Sequence, residues 1–355
     1  MAENSGLQER IAIARRIAEV KQTVAEEVTE DFFIRHPDWL ERYGERGRRH
    51  GIEDAKYHLD FLSSAVESGS TAPFEDYARW SSRMLSARGI APHFVAENFQ
   101  QLGENLKRIL SDNSIELIAR FIKAGREACL EKIEDNQPEN QKDGESELSQ
   151  IQKLFLESIL NGQRKAAITI AVEAIRSGHS IADAYTEIFQ QSQYQLGRLW
   201  ESNKITVAEE HMATAITQLV MAQIYSLIEL AETVRGRVVI VGVEGEMHQI
   251  GANMIADVLE TKGWDVRFLG TNMPHQGILK AVEEHRADVV GISATMLFSI
   301  PKVIQLIEQL RENFDSGKQK IIVGGACFRQ VPHLYREIGA DGYAADLKTL
   351  LTLLD

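Results

Sequence analysis

The sequence predicts a multidomain protein in which two all-helical regions precede a doubly wound parallel α/β sheet. Apolar residues recur at helical spacing through residues 6–133 and again through residues 148–232. After Arg235 the pattern changes to short β-branched runs that alternate with helical segments. A chain of 355 residues is long enough for two or three domains of ordinary size.

The first region, residues 1–133, is predicted to be entirely helical. Ile11, Ala14, Ile17 and Val20 recur every third residue, which places their side chains along one face of a helix. Helix breaks are expected at five points, which leaves six or seven helices: His36-Pro37, Gly44 with Gly47, residues 68–70, Gly89 with Pro92, and Asp112-Asn113.

Residues 134–147 have the composition of a linker, because they are rich in acidic and amide side chains and almost free of apolar ones. A second helical region follows at residues 148–234. Gly162, Gly178 and Gly197 punctuate its periodicity and divide it into about four helices. The spacing therefore predicts a small four-helix bundle between the linker and the sheet.

The last region, residues 235–355, is predicted to be the α/β domain. Its β-branched runs lie at residues 237–243, 265–270, 288–293 and 320–325, and each is followed by a helical segment. Strands that alternate with helices form a parallel sheet, and such sheets bind their ligands at the carboxyl ends of the strands. Candidate ligand-binding residues are therefore expected where these runs end.

Composition and charge exclude several classes of protein. Against 52 acidic residues stand 39 Lys and Arg, and the net charge of −13 repels phosphate backbones, so no nucleic-acid partner is expected. The two cysteines, Cys129 and Cys327, lie far apart, which argues against a disulfide framework and against structural zinc. The N-terminus lacks an apolar signal core and no apolar stretch is long enough for a membrane span. We therefore expect a cytoplasmic protein with no membrane partner.

The first run ends in a loop, residues 242–251, where a dinucleotide-binding fold would carry GxGxxG. The glycines of this loop have the wrong spacing, so nicotinamide binding loses its main support. The loop carries instead Glu246-x-His248-x-x-Gly251, which puts an imidazole at the tip of the sheet beside a carboxylate able to hold its other ring nitrogen. Taken alone, the pair is equally compatible with a loop histidine that has an acidic neighbour by chance.

Two further elements stand at the ends of later runs. Ser293 and Thr295 end the third run, with 41 residues between Gly251 and Ser293, and Gly324 with Gly325 end the fourth run, with 28 residues between Thr295 and Gly324. Glycines there let the backbone approach a bound group closely. The whole pattern resembles the cobalamin-binding domain of methionine synthase and of the base-off mutases, in which DxHxxG, SxL and GG occur at very similar spacings.

The resemblance implies that His248 is the lower axial ligand to the cobalt of cobalamin, with Glu246 as its hydrogen-bonding partner and Met247 and Gly251 in the same binding loop. It also implies that the nucleotide tail of the cofactor threads into the sheet past four further residues: Ser293, Thr295, Gly324 and Gly325. Glu246 stands where the family commonly has Asp, and Thr295 stands where it has Leu. Neither difference removes a ligand.

The preceding bundle carries a second pattern, in which Trp200 is followed after nine residues by Glu210-His211. By themselves these residues are compatible with a core aromatic and a solvated helix start. Ahead of such a sheet they resemble the helical cap that light-sensing cobalamin repressors of carotenoid genes place over adenosylcobalamin. The resemblance implies that Trp200, Glu210 and His211 cover the upper face, and that the cofactor is adenosylcobalamin. Glu201 stands where those repressors have a cobalt-capturing His, and residues 1–133 lack their DNA-binding half.

Arginines and aromatic residues cluster in residues 33–62. Arginines suit propionate groups and aromatics suit a flat conjugated ligand, although the same residues are compatible with a helix core and a solvated face. A helical domain ahead of a cobalamin cap and sheet resembles the photocobilins, which implies a globin-like domain that binds a bilin such as biliverdin. The candidate residues are Arg42 and Arg46 for the propionates and Tyr57 with His58 for the pyrrole nitrogens. Haem is the competing ligand, with His36, His58 or His93 as its axial ligand.

These expectations together predict a light sensor that binds adenosylcobalamin and biliverdin, in which photolysis of the cobalt–carbon bond rearranges the cap. No hydrolase, kinase or metalloprotease motif occurs, so catalytic turnover is not expected. The signal is expected to pass to a separate effector protein or through self-association. The alternatives are a corrinoid methyl carrier for a methyltransferase and a haem-containing sensor.

Overall fold

The computed structural model describes residues 2–110, 114–131, 146–231, 235–314 and 318–354. These residues divide into two units, each described by itself below. The first unit comprises residues 1–132, 243–246 and 292–355, and the second comprises residues 133–242 and 247–291. The linker expected at residues 134–147 lies almost wholly outside the described residues, which resume at Ser146.

Five helices form the described part of the N-terminal region: α1 Ala2–Arg35, α2 Pro37–Ser68, α3 Ala72–Ser86, α4 Pro92–Leu110 and α5 Ser114–Leu130. The predicted break before Pro37 is confirmed, because proline begins a helix at little cost. The break predicted at Gly44 with Gly47 is confirmed at Gly44, where φ is 56° and ψ is −156° and two helical segments of α2 meet at a kink, whereas Gly47 lies within the second segment. Glycine adopts that conformation without a Cβ clash, so the helix bends there and resumes. The break predicted at Asp112-Asn113 lies outside the described residues.

The N-terminal helical region has an aromatic core of its own. Phe74, Phe99 and Phe121 are completely buried, and burying each ring contributes about 1.5–3 kcal/mol. Gly125 allows α5 to approach α3 closely, because a Cβ at this position would lie 2.5 Å from the ring of Phe74. Packing around these rings therefore defines how α3, α4 and α5 fit together.

Length and charge decide whether a described helix could cross a lipid bilayer. The longest, α1, has 34 residues but carries charged side chains along its length. Across the described ranges, no helix combines the length and the apolar character that crossing a membrane requires.

The second unit begins with the bundle, whose elements are α6 Glu147–Leu160, α7 Arg164–Arg176, α8 Ile181–Asp183, a π-helical segment Ala184–Gln190, α9 Gln191–Glu201 and α10 Val207–Tyr225. The segments from α8 to α9 follow one another without interruption, so the described residues form four helical rods, as predicted. Gly162 and Gly178 lie between helices with positive φ, whereas Gly197 lies inside α9 and does not interrupt it. The side chains of Phe155, Tyr185 and Phe189 fill the core.

The C-terminal sheet has five strands in the order β2-β1-β3-β4-β5. The strands are β1 Gly236–Gly242, β2 Trp264–Phe268, β3 Val289–Ser293, β4 Lys320–Gly324 and β5 Gly342–Ala344. The intervening helices are α11 Ile250–Thr261, α12 His275–His285, α13 Ile300–Asn313, α14 Ala326–Arg329, α15 Leu334–Glu337 and α16 Leu347–Leu354, and a 3-10 turn at Leu297–Ser299 precedes α13.

The register of the sheet is parallel, with Gly236 opposite Trp264 and Ile240 opposite Phe268 in the first pair of strands. The predicted α/β domain is thereby confirmed, and the four predicted runs coincide with β1 to β4. The chain order reverses between β1 and β3, which makes the loops after these strands the switch point where doubly wound sheets bind ligands.

Candidate functional site

The loop after β1 presents a histidine to solvent. The chain leaves β1 at Gly242, whose N–H donates to the carbonyl oxygen of Gly270 at 2.9 Å. Beyond this anchor Met247 is 71% exposed, and His248 is exposed as well. Gly251 lies in the first turn of α11, and no atom would come within 4 Å of a Cβ added there. The imidazole and the start of α11 are therefore accessible to a ligand.

The carboxylate two residues before His248 is completely buried. Oε2 of Glu246 accepts hydrogen bonds from the N–H of Thr295 at 2.6 Å, the N–H of Met296 at 3.4 Å and the hydroxyl of Ser299 at 3.3 Å. These donors belong to the turn that leads into α13, and a carboxylate is stabilised at the start of a helix. Glu246 thus fastens the end of the β1 loop to the end of β3.

Ser299 is a site residue that the sequence reasoning missed. Its hydroxyl is buried against Glu246, 53 positions away in sequence. A hydroxyl residue just before α13 was the available signal, but only the fold brings it to the carboxylate. Thr295 was predicted to line the nucleotide tail, and the structure adds a role for its N–H as a donor to Glu246. The predicted hydrogen bond between Glu246 and His248 stays a prediction.

The two glycines after β4 allow two backbones to approach each other. Gly325 has a φ of 103°, and a Cβ there would lie 2.1 Å from the carbonyl oxygen of Ala294. The N–H of Ala294 donates to the carbonyl oxygen of Gly324 at 2.9 Å, which joins the loops after β3 and β4. The half-buried Ser293 stands at the edge of this junction. A side chain at position 325 would therefore separate the two loops.

These features fit a cobalt that is bound inside a corrin ring. Among the residues that the structure describes, no three His, Cys, Asp or Glu side chains are grouped as a metal site. A corrin already surrounds its cobalt with ring nitrogens, so the protein has only to supply an axial ligand. His248 would supply it, and the open space at Gly251 would leave room for the group that His248 binds.

The predicted cap residues lie at the end of the bundle where α9 stops and α10 starts. Trp200 is the penultimate residue of α9 and is half-buried. Thr206 caps α10, its hydroxyl accepting from the N–H of Glu209 while the Glu209 carboxylate accepts from the N–H of Thr206. This capping box sets the start of α10, and therefore the position of Glu210, the next residue after it.

Glu210 and His211 are joined to each other in the first turn of α10. Nδ1 of His211 lies 2.7 Å from Oε2 of Glu210, and the hydroxyl of Thr214 donates to Oε1 at 2.9 Å. The His211 side chain is 74% exposed, and Val207 and Met212 expose apolar surface on the same turns. The end of the bundle is thus able to cover a flat ligand.

The four predicted bilin residues do not share one surface. His58 is buried, with Nδ1 2.7 Å from the hydroxyl of Tyr77, and burial lowers its pKa to about 3. Tyr57 is 55% exposed, because neighbouring residues of a helix point about 100° apart. Arg42 and Arg46 are exposed, the former over the ring of Tyr43 at 5.0 Å and the latter with Nε 3.4 Å from Nε2 of His50. The bilin pocket stays a prediction, and the structure does not bring its four predicted residues together.

Of the three histidines predicted as haem ligands, His36 and His93 both contact the ring of Phe94, whereas His58 packs against Tyr77 and Phe99. Nε2 of His36 lies 2.9 Å from Oε2 of Glu97, while His93 is exposed beside the ring of Phe94. His58 is bonded to Tyr77, as described above. Two of the three imidazoles therefore have protein partners already.

The fold and the site together define a cobalamin-binding protein. Residues 236–351 match the family model described as a B12 binding domain, and residues 151–225 match a second B12 binding domain model. The two matches coincide with the sheet and with the bundle.

Relatives and a solved structure extend this result. A dimethylamine corrinoid protein of Methanosarcina mazei is 30% identical over 183 residues, which are 51% of this chain and 84% of the relative. A corrinoid protein of Desulfitobacterium hafniense is 26% identical over 53% of this chain and 88% of its own length. The monomethylamine corrinoid protein of Methanosarcina barkeri has the same fold over 58% of this chain and 97% of its own, with a TM-score of 0.52 and 21% identity.

The chain belongs to the family of corrinoid proteins with B12 binding domains. The expectation of a cobalamin-binding protein is therefore confirmed. The finer expectations, that the cofactor is adenosylcobalamin, that a bilin accompanies it and that the protein senses light, stay predictions.

Proposed function

We propose that this chain is a corrinoid carrier, which holds a one-carbon group on cobalamin and presents it to a separate methyltransferase. The observation that carries the proposal is the helical B12 binding domain directly ahead of an α/β one, in a chain that spans 84% of a dimethylamine corrinoid protein. This alternative has better support from the relatives than the light sensor has.

In this proposal the chain binds and covers the cofactor, and the catalytic groups belong to the partner enzyme. Bound methylcobalamin supplies a cobalt–carbon bond whose carbon group can pass to an acceptor. His248 would bind the cobalt, and Glu246 would fix the loop from which His248 projects. The end of the bundle at Trp200 and His211 would cover the bound cofactor.

A second candidate function, a light sensor that uses adenosylcobalamin, is favoured by one specific observation. Trp200 and the bonded pair Glu210-His211 occupy the end of the bundle, as the resemblance to light-sensing repressors requires. The output would pass to a separate effector or through self-association. A lit state with two histidines on the cobalt is not part of this candidate, because Glu201 stands where those repressors have the second histidine. A bilin is not part of this candidate, because its predicted residues do not converge.

The two candidates differ in the upper ligand that the cap prefers. Dissociation constants for methylcobalamin and adenosylcobalamin are measured in the dark with the full chain, and again with Trp200→Ala. A carrier binds methylcobalamin at least as tightly as adenosylcobalamin, and its molar mass by light scattering is unchanged by green light.

The opposite result would contradict the carrier and support the sensor. In that result the protein binds adenosylcobalamin about tenfold or more tightly than methylcobalamin, a difference of about 1.4 kcal/mol, and Trp200→Ala abolishes the difference. Green light would then change the molar mass or the elution volume. His50→Ala, which alters an exposed histidine in α2, is the matched control and changes neither affinity.

A further inference from the structure

Phe298, in the turn between β3 and α13, packs against the N-terminal helical region. Its ring lies edge to face with that of Phe61 in α2, with 5.8 Å between the ring centroids and an interplanar angle of 84°. Phe61 is buried and stacks on Tyr77 at 3.7 Å and 10°. The hydroxyl of Tyr77 is bonded to His58 in turn. Phe298 is thus attached to an aromatic stack in the core of the helical region.

The same turn holds the carboxylate that precedes the cobalt-ligand loop. Ser299, the neighbour of Phe298, and the N–H groups of Thr295 and Met296 are the donors to Glu246. Residues 295–299 therefore have two attachments, one to the helical region and one to Glu246.

The turn is too short to hold its conformation by itself. The 3-10 segment spans only Leu297–Ser299, and the N–H of Ser299 donates to the carbonyl oxygen of Met296 at 2.9 Å. Short 3-10 segments have poor hydrogen-bond geometry, so side-chain packing decides where such a turn lies. The contact between Phe298 and Phe61 supplies that packing.

Two polar contacts near the surface also join the helical region to this part of the unit. Arg10 forms an ion pair with Glu337 at 2.5 Å, and Gln330 donates a hydrogen bond to Asp76. Exposed pairs of this kind contribute little, whereas an aromatic pair adds specific geometry to the area it buries. The aromatic contact is therefore the one expected to set the position of the turn.

We propose that Phe298 and Phe61 are positioning residues for the cobalt-ligand loop. Through them the N-terminal helical region sets the conformation of residues 295–299, and this turn sets Glu246 two residues before His248. Both residues act through the turn. The inference rests on cobalamin binding and applies equally to a carrier and to a light sensor.

The test observes the cobalt ligand itself. Protein is produced with ¹⁵N-labelled histidine, loaded with cobalamin in its cob(II) form, and examined by electron paramagnetic resonance. Coordination by a labelled imidazole splits each line in two, whereas coordination by the cofactor's own ¹⁴N base splits it in three. In Phe298→Ala and Phe61→Ala the ratio of imidazole-bound to unbound cobalt is expected to fall about two- to tenfold, the range that aromatic pair energies correspond to.

Three further variants distinguish a specific effect on the cobalt-ligand loop from a general loss of structure. Phe33→Ala removes another buried ring of the helical region, which packs on Phe32 at 5.9 Å, and is expected to leave the ratio unchanged. The double variant Phe61→Ala/Phe298→Ala is expected to lower the ratio no further than either single change, because both break one contact. Phe298→Leu keeps an apolar side chain and replaces the alanine variant if circular dichroism shows that the latter is unfolded.

The proposal is overturned if the folded single variants keep the ratio of the unaltered protein, or if their effects multiply in the double variant. It is also overturned if Phe33→Ala lowers the ratio as much as Phe61→Ala. The spectra report only which nitrogen binds the cobalt, so the expected change in the variants does not depend on whether the protein is a carrier or a light sensor. A failure of the positioning proposal can therefore be told apart from a failure of the proposed function.

Discussion

Gly251→Ala shows whether the glycine is required for cofactor binding or for folding. Gly251 lies inside the first turn of α11, and no atom lies within 4 Å of the position that an added Cβ would take. Alanine is favoured over glycine in a helix by about 0.5–1 kcal/mol, so the variant without cofactor is expected to be more stable by this amount. Urea denaturation followed by circular dichroism measures this gain.

The same methyl group is expected to weaken cobalamin binding. Where the cofactor occupies the open space beside Gly251, the overlap costs about 1–3 kcal/mol, which lowers the affinity by about 5- to 150-fold. Gly6→Ala in α1 is the control, because its Cβ meets only the end of the Arg10 side chain at 3.6 Å and it is remote in sequence from the motif. Equilibrium dialysis with hydroxocobalamin compares the affinities. A Gly251→Ala protein that binds as tightly as the unaltered protein would refute the reasoning.

Three other changes test the structure around the site. Gly325→Ala is expected to destabilise the protein by at least about 2 kcal/mol, from left-handed strain and from a Cβ 2.1 Å from the Ala294 oxygen, which urea midpoints will show. Tyr185→Phe removes the hydroxyl that donates to Asp257 at 2.5 Å. Burial raises the pKa of the Asp257 carboxyl to about 6, so this carboxyl is ionised at pH 8 and largely protonated at pH 5. The variant is therefore expected to lower the free energy of unfolding by about 1.5–3 kcal/mol at pH 8 and by less at pH 5. Burial lowers the pKa of His58 from 6.5 to about 3, so the folded protein keeps this imidazole neutral. The free energy of unfolding is therefore expected to fall by about 1.4 kcal/mol for each pH unit below 6.5, where the unfolded chain binds the proton. His58→Phe should remove this dependence on pH.

A second tyrosine–carboxylate pair provides the control for Tyr185→Phe. Tyr225→Phe removes the hydroxyl that donates to Glu260 at 2.7 Å at an exposed position, and its effect should be small at both pH values. Equal losses for Tyr185→Phe at pH 8 and pH 5 would contradict the assignment of an ionised partner. A Gly325→Ala protein of unchanged stability would mean that the loops after β3 and β4 separate without cost.

The sheet and its binding edge could be predicted because their signals are local. Runs such as Val238 to Val241 are β-branched and fully buried, so strand type and position follow from the residues themselves. Motifs at the ends of successive parallel strands converge by topology, which is why His248 and Gly325 could be assigned to one edge before any coordinates. The capping box at Thr206 and Glu209 is a local signal of the same kind, because a hydroxyl residue followed three positions later by a glutamate is typical of a helix start.

The contacts of Glu246 could not be predicted because they depend on packing. Ser299 reaches the carboxylate across 53 positions, and its place just before α13 does not reveal that Glu246 is its partner. The bilin residues failed to converge for a different reason. Tyr57 and His58 were grouped by composition, although helical geometry already separates neighbouring side chains by about 100°. Helical geometry places His58 in the core and Tyr57 in solvent.

The most direct test of the central claim asks which nitrogen binds the cobalt. Protein with ¹⁵N-labelled histidine is loaded with cob(II)alamin, and the unaltered chain is compared with His248→Ala and with His50→Ala by electron paramagnetic resonance. A cobalamin held through His248 predicts lines split in two for the unaltered protein and for His50→Ala, and loss of that splitting in His248→Ala. Splitting in three for the unaltered protein, or splitting in two that survives in His248→Ala, would contradict the account.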